Sequence, residues 1–150
     1  MKAILATAAI VVLLLVGGAL WSRSLSSGDP DVVSQSGIHW HPRLEIFVRG
    51  EKIDVPVNIG IGPQYAGMPT FDTKMRMTAV HTHEDLPIIH LEFPALVRKS
   101  DVMLGHLLRI WGKDMRSFGT NVRMTVNGEE NTEFENYVMR DGDKIELRFE

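Results

Sequence analysis

Between Thr78 and Phe93 the chain reads TAVHTHEDLPIIHLEF, two stretches of alternating character on either side of the polar tip Glu84-Asp85-Leu86-Pro87. Such alternation commits a segment to extended structure, because successive side chains leave a strand on opposite faces. The tip sets the register: His83 opposes Ile88, Thr82 opposes Ile89, His81 opposes His90, Val80 opposes Leu91 and Thr78 opposes Phe93. Val80, Thr82, Ile89 and Leu91 then form the core face. The other face gathers His81, His83 and His90, with His81 and His90 facing each other at a Cβ separation of about 4.5 to 5.5 Å, near enough for two imidazoles to share an ion. A stacked or hydrogen-bonded pair without metal is the competing account, and the crowding of three histidines favours the ion. Glu92 falls on the His90 face, where a carboxylate orients an imidazole or is simply solvated. Glu84 and Asp85 read as a hydrophilic turn.

A second alternating segment, Leu44 to Val57 (LEIFVRGEKIDVPV), predicts a hairpin about Gly50-Glu51. Val48 then faces Ile53, Ile46 faces Val55 and Leu44 faces Val57, all on one apolar face. Just upstream, in Ile38-His39-Trp40-His41-Pro42, His39 and His41 share one face of an extended segment and Trp40 takes the other. Alone, this spacing fits two solvated or hydrogen-bonded histidines beside a core tryptophan better than it fits a pair of ligands. Whether His39 and His41 reach the face of His81, His83 and His90 is left open by the sequence.

Ser100 to Gly112 (SDVMLGHLLRIWG) predicts a short amphipathic helix capped by Ser100, with Leu104, Leu107, Leu108 and Trp111 inward and Gly112 as its stop. His106 falls on the opposite stripe with Val102, Arg109 and Lys113 and is read as exposed, outside the site. Val122 to Val126, the Asn127-Gly128 turn, the Asp141-Gly142-Asp143 turn and Lys144 to Phe149 supply further strands. The expected fold class is α+β, mostly antiparallel β hairpins with one short amphipathic helix. The order hairpin, helix, strand, strand from residue 76 onward makes the C-terminal half β-grasp-like, an analogy of topology only.

The average of 44% hydrophobic residues conceals a separate N-terminal polymer. Ala3 to Trp21 carries no charge and, at about 1.5 Å per helical residue, reaches roughly 28 Å, close to the ~30 Å hydrocarbon thickness. It is expected to be a transmembrane helix. Lys2 precedes it, while Arg23, Asp29 and Asp31 follow, which puts the N-terminus in the cytoplasm and the domain on the extracytoplasmic side. A cleaved signal peptide, with Val16 and Gly18 or Gly17 and Ala19 at the cleavage site, is the alternative and would leave the domain secreted. The expected organisation is an anchor over 1–21, a Ser/Gly/Asp-rich flexible linker over 22–36 and one domain over 37–150. The chain of 150 residues is too short for a TIM barrel or a kinase, and its net charge of −3 offers nothing basic to follow a phosphate backbone, so nucleic acid is not an expected partner. With no cysteine, thiolate metal sites and thiol catalysis are excluded.

His39-Trp40-His41-Pro42, Pro56 to Gly62 (PVNIGIG), His81-Thr82-His83 followed by Ile88-Ile89-His90 and Glu92, Leu104-Gly105 leading to Trp111-Gly112, and the closing Asn127-Gly128 and Asp141-Gly142-Asp143 form an ordered string of motifs. In this string the chain resembles a largely uncharacterised group of small exported or membrane-anchored domains of archaea and bacteria. The resemblance covers most of residues 38 to 150. It implies an extracytoplasmic histidine-containing domain and brings no reaction with it. His81-Thr82-His83 also imitates the start of a cupin site, but Pro87 and Ile88 stand where that pattern needs a glutamate.

Five candidate imidazoles (His39, His41, His81, His83, His90) without sulfur favour a borderline divalent ion over calcium or magnesium, with copper ahead of zinc by intrinsic affinity. Met75 and Met77 have the period of a strand and, with Met68, are read as gap-filling core before thioether ligands. Three functions remain open at this level. One is a binding domain that sequesters, senses or passes copper or zinc. The second is a metal-dependent enzyme with three histidine ligands, an open position for water, and Glu92 or Glu84 as base. The third is a metal-free interaction module with structural or pH-responsive histidines.

Overall fold

The computed structural model describes residues 12–18 and 29–150. The chain divides into two compact units, Met1–Val32 and Val33–Glu150. In the first, residues 12–18 are helical, with Val12, Leu13, Leu14, Leu15 and Val16 exposed. Among the described residues no helix is long and apolar enough to cross a membrane. The rest of the expected span Ala3 to Trp21 lies outside the described residues, as does the linker through residue 28.

The second unit is α+β with mostly antiparallel strands. In chain order its elements are β1 (Val32–Ser34), β2 (Ile38–Trp40), β3 (Arg43–Val48), β4 (Glu51–Ile53), β5 (Phe71–Asp72), β6 (Met77–Thr78), β7 (Val80–His81), β8 (His90–Phe93) and β9 (Val97–Arg98), followed by helix α1 (Leu104–Trp111), β10 (Val122–Val126), β11 (Glu129–Asn131) and β12 (Lys144–Phe149). The largest sheet has the order β11-β10-β12-β3-β4, and a three-stranded sheet has the order β2-β8-β7. β1 pairs with β9, so regular structure begins ahead of the boundary expected at residue 37.

β12 shows why the large sheet forms: its side chains alternate, with Ile145, Leu147 and Phe149 buried and Lys144 and Arg148 exposed. It lies parallel to β3, opposing Ile145 to Leu44 and Leu147 to Ile46, and antiparallel to β10, opposing Leu147 to Met124. These side chains join Leu104, Leu107 and Ile110 of α1 in one core cluster. Burying them supplies the main stabilisation of the unit, at about 25 cal/mol per Å² of apolar surface.

The first hairpin forms with a corrected register. Ile46 opposes Ile53 and Val48 opposes Glu51, so the turn is Arg49-Gly50 rather than Gly50-Glu51. Arg49 (φ 52°) and Gly50 (φ 86°) both take positive φ, as the tight turn between right-twisted strands requires. The shift spans an even number of residues, so the inward face survives although the partners change. β4 ends at Ile53, and Val57, expected in the core opposite Leu44, is 42% exposed.

The helix is likewise shorter than expected. Lys99–Asp101 form a 3-10 turn, Met103 rather than Ser100 is the N-cap, and Gly112 ends the helix in the left-handed conformation. Val102, read as lying on the outer stripe, is fully buried, because the chain there pairs with the 137–139 segment through Leu104 N–H to the Tyr137 carbonyl and Met139 N–H to the Val102 carbonyl. The 80–93 hairpin, read as the opening of the C-terminal half, lies in the three-stranded sheet, and the strands beside β12 are β3 and β10.

Candidate metal centre

The three-stranded sheet builds the site. β7 and β8 pair as the alternation predicts, with Val80 opposite Leu91 and His81 opposite His90. Val80, Thr82, Ile89 and Leu91 are all fully buried. The predicted Thr78–Phe93, Thr82–Ile89 and His83–Ile88 pairs are not part of this ladder: Thr78 turns away to pair with Phe71, Thr82 N–H donates to the Ile59 carbonyl, and Ile88 bridges to Arg43. β2 adds on the other edge of β8, with Ile38 opposite Phe93, His39 opposite Glu92 and Trp40 opposite Leu91. Continued by one residue, that register sets His41 opposite His90 on the face that already carries His81.

All five candidate histidines therefore meet. Ring centroids lie 4.8 Å apart for His39 and His41, 4.9 Å for His41 and His90, 5.3 Å for His90 and His81, 4.8 Å for His81 and His83, and 4.9 Å for His83 and His90. The His81 and His90 rings are stacked, with an interplanar angle of 13°.

Loops on both sides hold these strands. His41 N–H donates to Asp141 Oδ1 at 2.8 Å, anchoring the end of β2 to the Asp141-Gly142-Asp143 turn. After Pro42, whose carbonyl accepts from Ile89 N–H, the chain crosses into the large sheet, where Arg43 N–H donates to the Asp143 carbonyl. The PVNIGIG segment buttresses the histidine strand through buried Thr82. Its hydroxyl donates to the Pro56 carbonyl at 2.8 Å and accepts from Ile59 N–H at 3.0 Å. Gly60 (φ 77°) approaches so closely that a Cβ there would meet Thr78 Oγ1 and the Val80 carbonyl oxygen.

The ring nitrogens are sorted by their acceptors. His81 Nδ1 is 2.9 Å from the Thr78 carbonyl oxygen, which can only accept, so that nitrogen carries the proton and Nε2 presents a lone pair. His90 Nε2 lies 3.1 and 3.2 Å from the two Asp85 carboxylate oxygens, which leaves Nδ1 as its lone-pair nitrogen. These two free nitrogens, His81 Nε2 and His90 Nδ1, are both buried and have no hydrogen-bond partner among the described residues. His90 Nδ1 lies 3.5 Å from Glu92 Oε1, outside hydrogen-bond geometry. His81 is only 1% exposed, and burial pushes its pKa below the ordinary 6.5, with the backbone contact to Thr78 and the charge of Glu92 opposing that shift. Burial thus disfavours the charged imidazole and favours the neutral ring that a metal requires.

Donor atoms come within 4.8 Å of one another in two sets, His81 with His90 and Glu92, and His39 with His41 and Glu92. His83 meets both rings of the first set edge-on, although its donor nitrogens belong to neither set. Asp85, read as a hydrophilic turn, is instead the acceptor that fixes the His90 ring. The available signal was its place at the hairpin tip beside a strand bearing His90. Beside the histidines opens a cleft of about 580 Å³ whose lining includes His39, His81, Glu92, Phe71, Met75 and Met77. Met75 is 57% exposed there, so it is cleft wall and not gap-filling core. His106, read as exposed on the outer stripe of the helix, is instead half-buried on α1, and it belongs to neither donor set among the described residues.

No family model, curated protein or solved structure matches the chain.

Proposed function

We propose that the chain binds a divalent transition metal, copper or zinc, through His81 Nε2, His90 Nδ1 and Glu92, and that it sequesters, senses or passes on that ion. The observation that carries this reading is the pair of buried, partnerless imidazole nitrogens on facing strands. An unsatisfied buried polar atom costs about 1–3 kcal/mol, and a metal bond removes that cost at both atoms together. Each of the two histidines also has the outer acceptor that metal-binding histidines use, the Thr78 carbonyl for His81 and the Asp85 carboxylate for His90. Copper ranks first by intrinsic affinity for nitrogen donors, and zinc second.

The apolar run at residues 3–21 supports placing this domain at the outer face of a membrane, and the resemblance to exported histidine-containing domains supports the same placement. The strand order β4-β3-β12-β10-β11 with β12 parallel to β3 supports a β-grasp-like description, from which no function follows.

Calorimetric titration of the tag-free full-length chain with copper(II) and zinc(II) tests the reading. Saturable binding is expected, and it should weaken in His81→Ala. Absence of heat at micromolar metal would leave the histidines as a metal-free interaction surface.

The cleft beside His81 and Glu92 favours a second reading, a metal-dependent enzyme with an open coordination position. Water-proton relaxation of the copper-loaded chain separates the two: an exchangeable bound water supports catalysis, and its absence supports a closed binding site.

A further inference from the structure

We propose that the histidine face holds two metal ions, with the Glu92 carboxylate bridging them. This inference rests on the metal-binding reading and goes beyond it in stoichiometry and in the chemistry that a paired centre makes available.

The argument starts from the number of donors. Zinc in a protein site takes about four ligands, whereas this face offers five imidazoles and a carboxylate in one continuous cluster. Four of the imidazoles separate into an inner set, His81 and His90, and an outer set, His39 and His41, with Glu92 common to both. The bridging position is specific to one atom: Glu92 Oε1 is 3.3 Å from His39 Nε2 and 3.5 Å from His90 Nδ1. The sheet explains the sharing. Glu92 lies opposite His39 on β2 and two residues along β8 from His90, so its side chain stands between the two imidazole groups on the same face.

Two divalent ions repel each other, and a carboxylate between them offsets that repulsion; bridged pairs lie about 3.5–4 Å apart in two-metal sites. Asp85, on the far side of His90, adds a second negative charge near the inner ion. The two positions differ in access. His81 is buried, while the side chain of His39 is 65% exposed, so the inner ion fills first and the outer one exchanges with solvent and with whatever enters the cleft. A solvent-facing ion bridged to a buried one can both deliver metal to a recipient and bind an anionic group in the cleft.

The test measures metal content and spin coupling in the tag-free full-length chain after dialysis against excess copper(II), with zinc(II) content measured in parallel. Two ions per chain are expected, and the paired copper should show a weakened electron-paramagnetic signal with a half-field transition. The double variant H39A/H41A should retain one ion and give the full signal of an isolated copper(II). E92Q should abolish the coupling in a chain whose circular dichroism is unchanged. One ion per wild-type chain would overturn the paired site while leaving metal binding intact, and no ion would overturn the reading beneath it. Two ions whose spectrum is unaffected by E92Q would overturn the bridge.

Discussion

His81 and His90 face each other across adjacent antiparallel strands with their rings stacked, and each directs one nitrogen to an acceptor while the other is buried without a hydrogen-bond partner among the described residues. Opposed residues in a sheet are held at a fixed spacing by the ladder. The gap between the rings is therefore set by backbone pairing, and the acceptors set which nitrogen faces inward.

Asp85→Asn tests the second of these controls. The amide can donate as well as accept, so it no longer selects the His90 tautomer with a free Nδ1. Metal affinity measured by calorimetry should fall by about 10–100-fold, with the unfolding midpoint of the metal-free protein little changed. Unchanged affinity would remove Asp85 from the account.

Gly60→Ala tests the support behind the site. Its Cβ would lie 2.5 Å from the Val80 carbonyl oxygen and 3.2 Å from His81 Cβ, at a positive φ that alanine adopts with strain. A loss of about 1–3 kcal/mol in urea unfolding is expected, together with weaker metal binding because the displaced strand carries His81. A variant with wild-type stability and affinity would contradict the packing described for this loop.

Asp143 organises the turn that anchors the end of β2. Its buried carboxylate accepts from Tyr137 Oη at 2.7 Å, Arg140 N–H at 2.7 Å and Asn127 Nδ2 at 3.1 Å. Burial and the Asp143 carboxylate both push the Tyr137 phenol well above its ordinary pKa. Asp143→Ala strands these donors and should cost about 2–4 kcal/mol in chemical denaturation. It also loosens the turn that holds His41, so binding that depends on His41 should weaken with it.

His106 makes stability depend on pH. Burial lowers its pKa below the ordinary 6.5, and the Arg109 charge lowers it further, while the Ser100 backbone and Asp101 oppose the shift. The unfolded chain therefore takes up a proton near the ordinary value that the folded chain still refuses. This contribution to stability is complete above 6.5 and is lost as the pH falls through and below that value. Urea unfolding of the metal-free protein across this range should show a smaller acid-side loss in His106→Gln than in the wild type. Equal losses would assign the dependence to other groups.

Much of the histidine face is legible in the sequence because it depends on short-range order. The 81–90 pairing follows from alternation about a short polar tip, and the same register that buries Val80 and Leu91 exposes the imidazoles to one another. The β2 to β8 pairing is different in kind: His39 meets Glu92 across a long stretch of chain, and local pattern carries no information about which distant edge a strand will choose. For that reason the joining of His39 and His41 to the cluster, and the central place of Glu92, emerge only in the fold. The turn at Arg49-Gly50 was masked because a non-glycine residue adopts positive φ there, which turn chemistry disfavours. The helix start was misplaced because Ser100 has the composition of a cap, while tertiary pairing at Val102 and Leu104 holds the preceding residues out of the helix.

The most direct measurement is anomalous-difference crystallography of copper-loaded protein at the copper edge. The account predicts a peak within about 2.0–2.1 Å of both His81 Nε2 and His90 Nδ1, the bond length of an imidazole nitrogen to such an ion. A peak bound only to other residues, or an occupied crystal with no density between those two nitrogens, would contradict it.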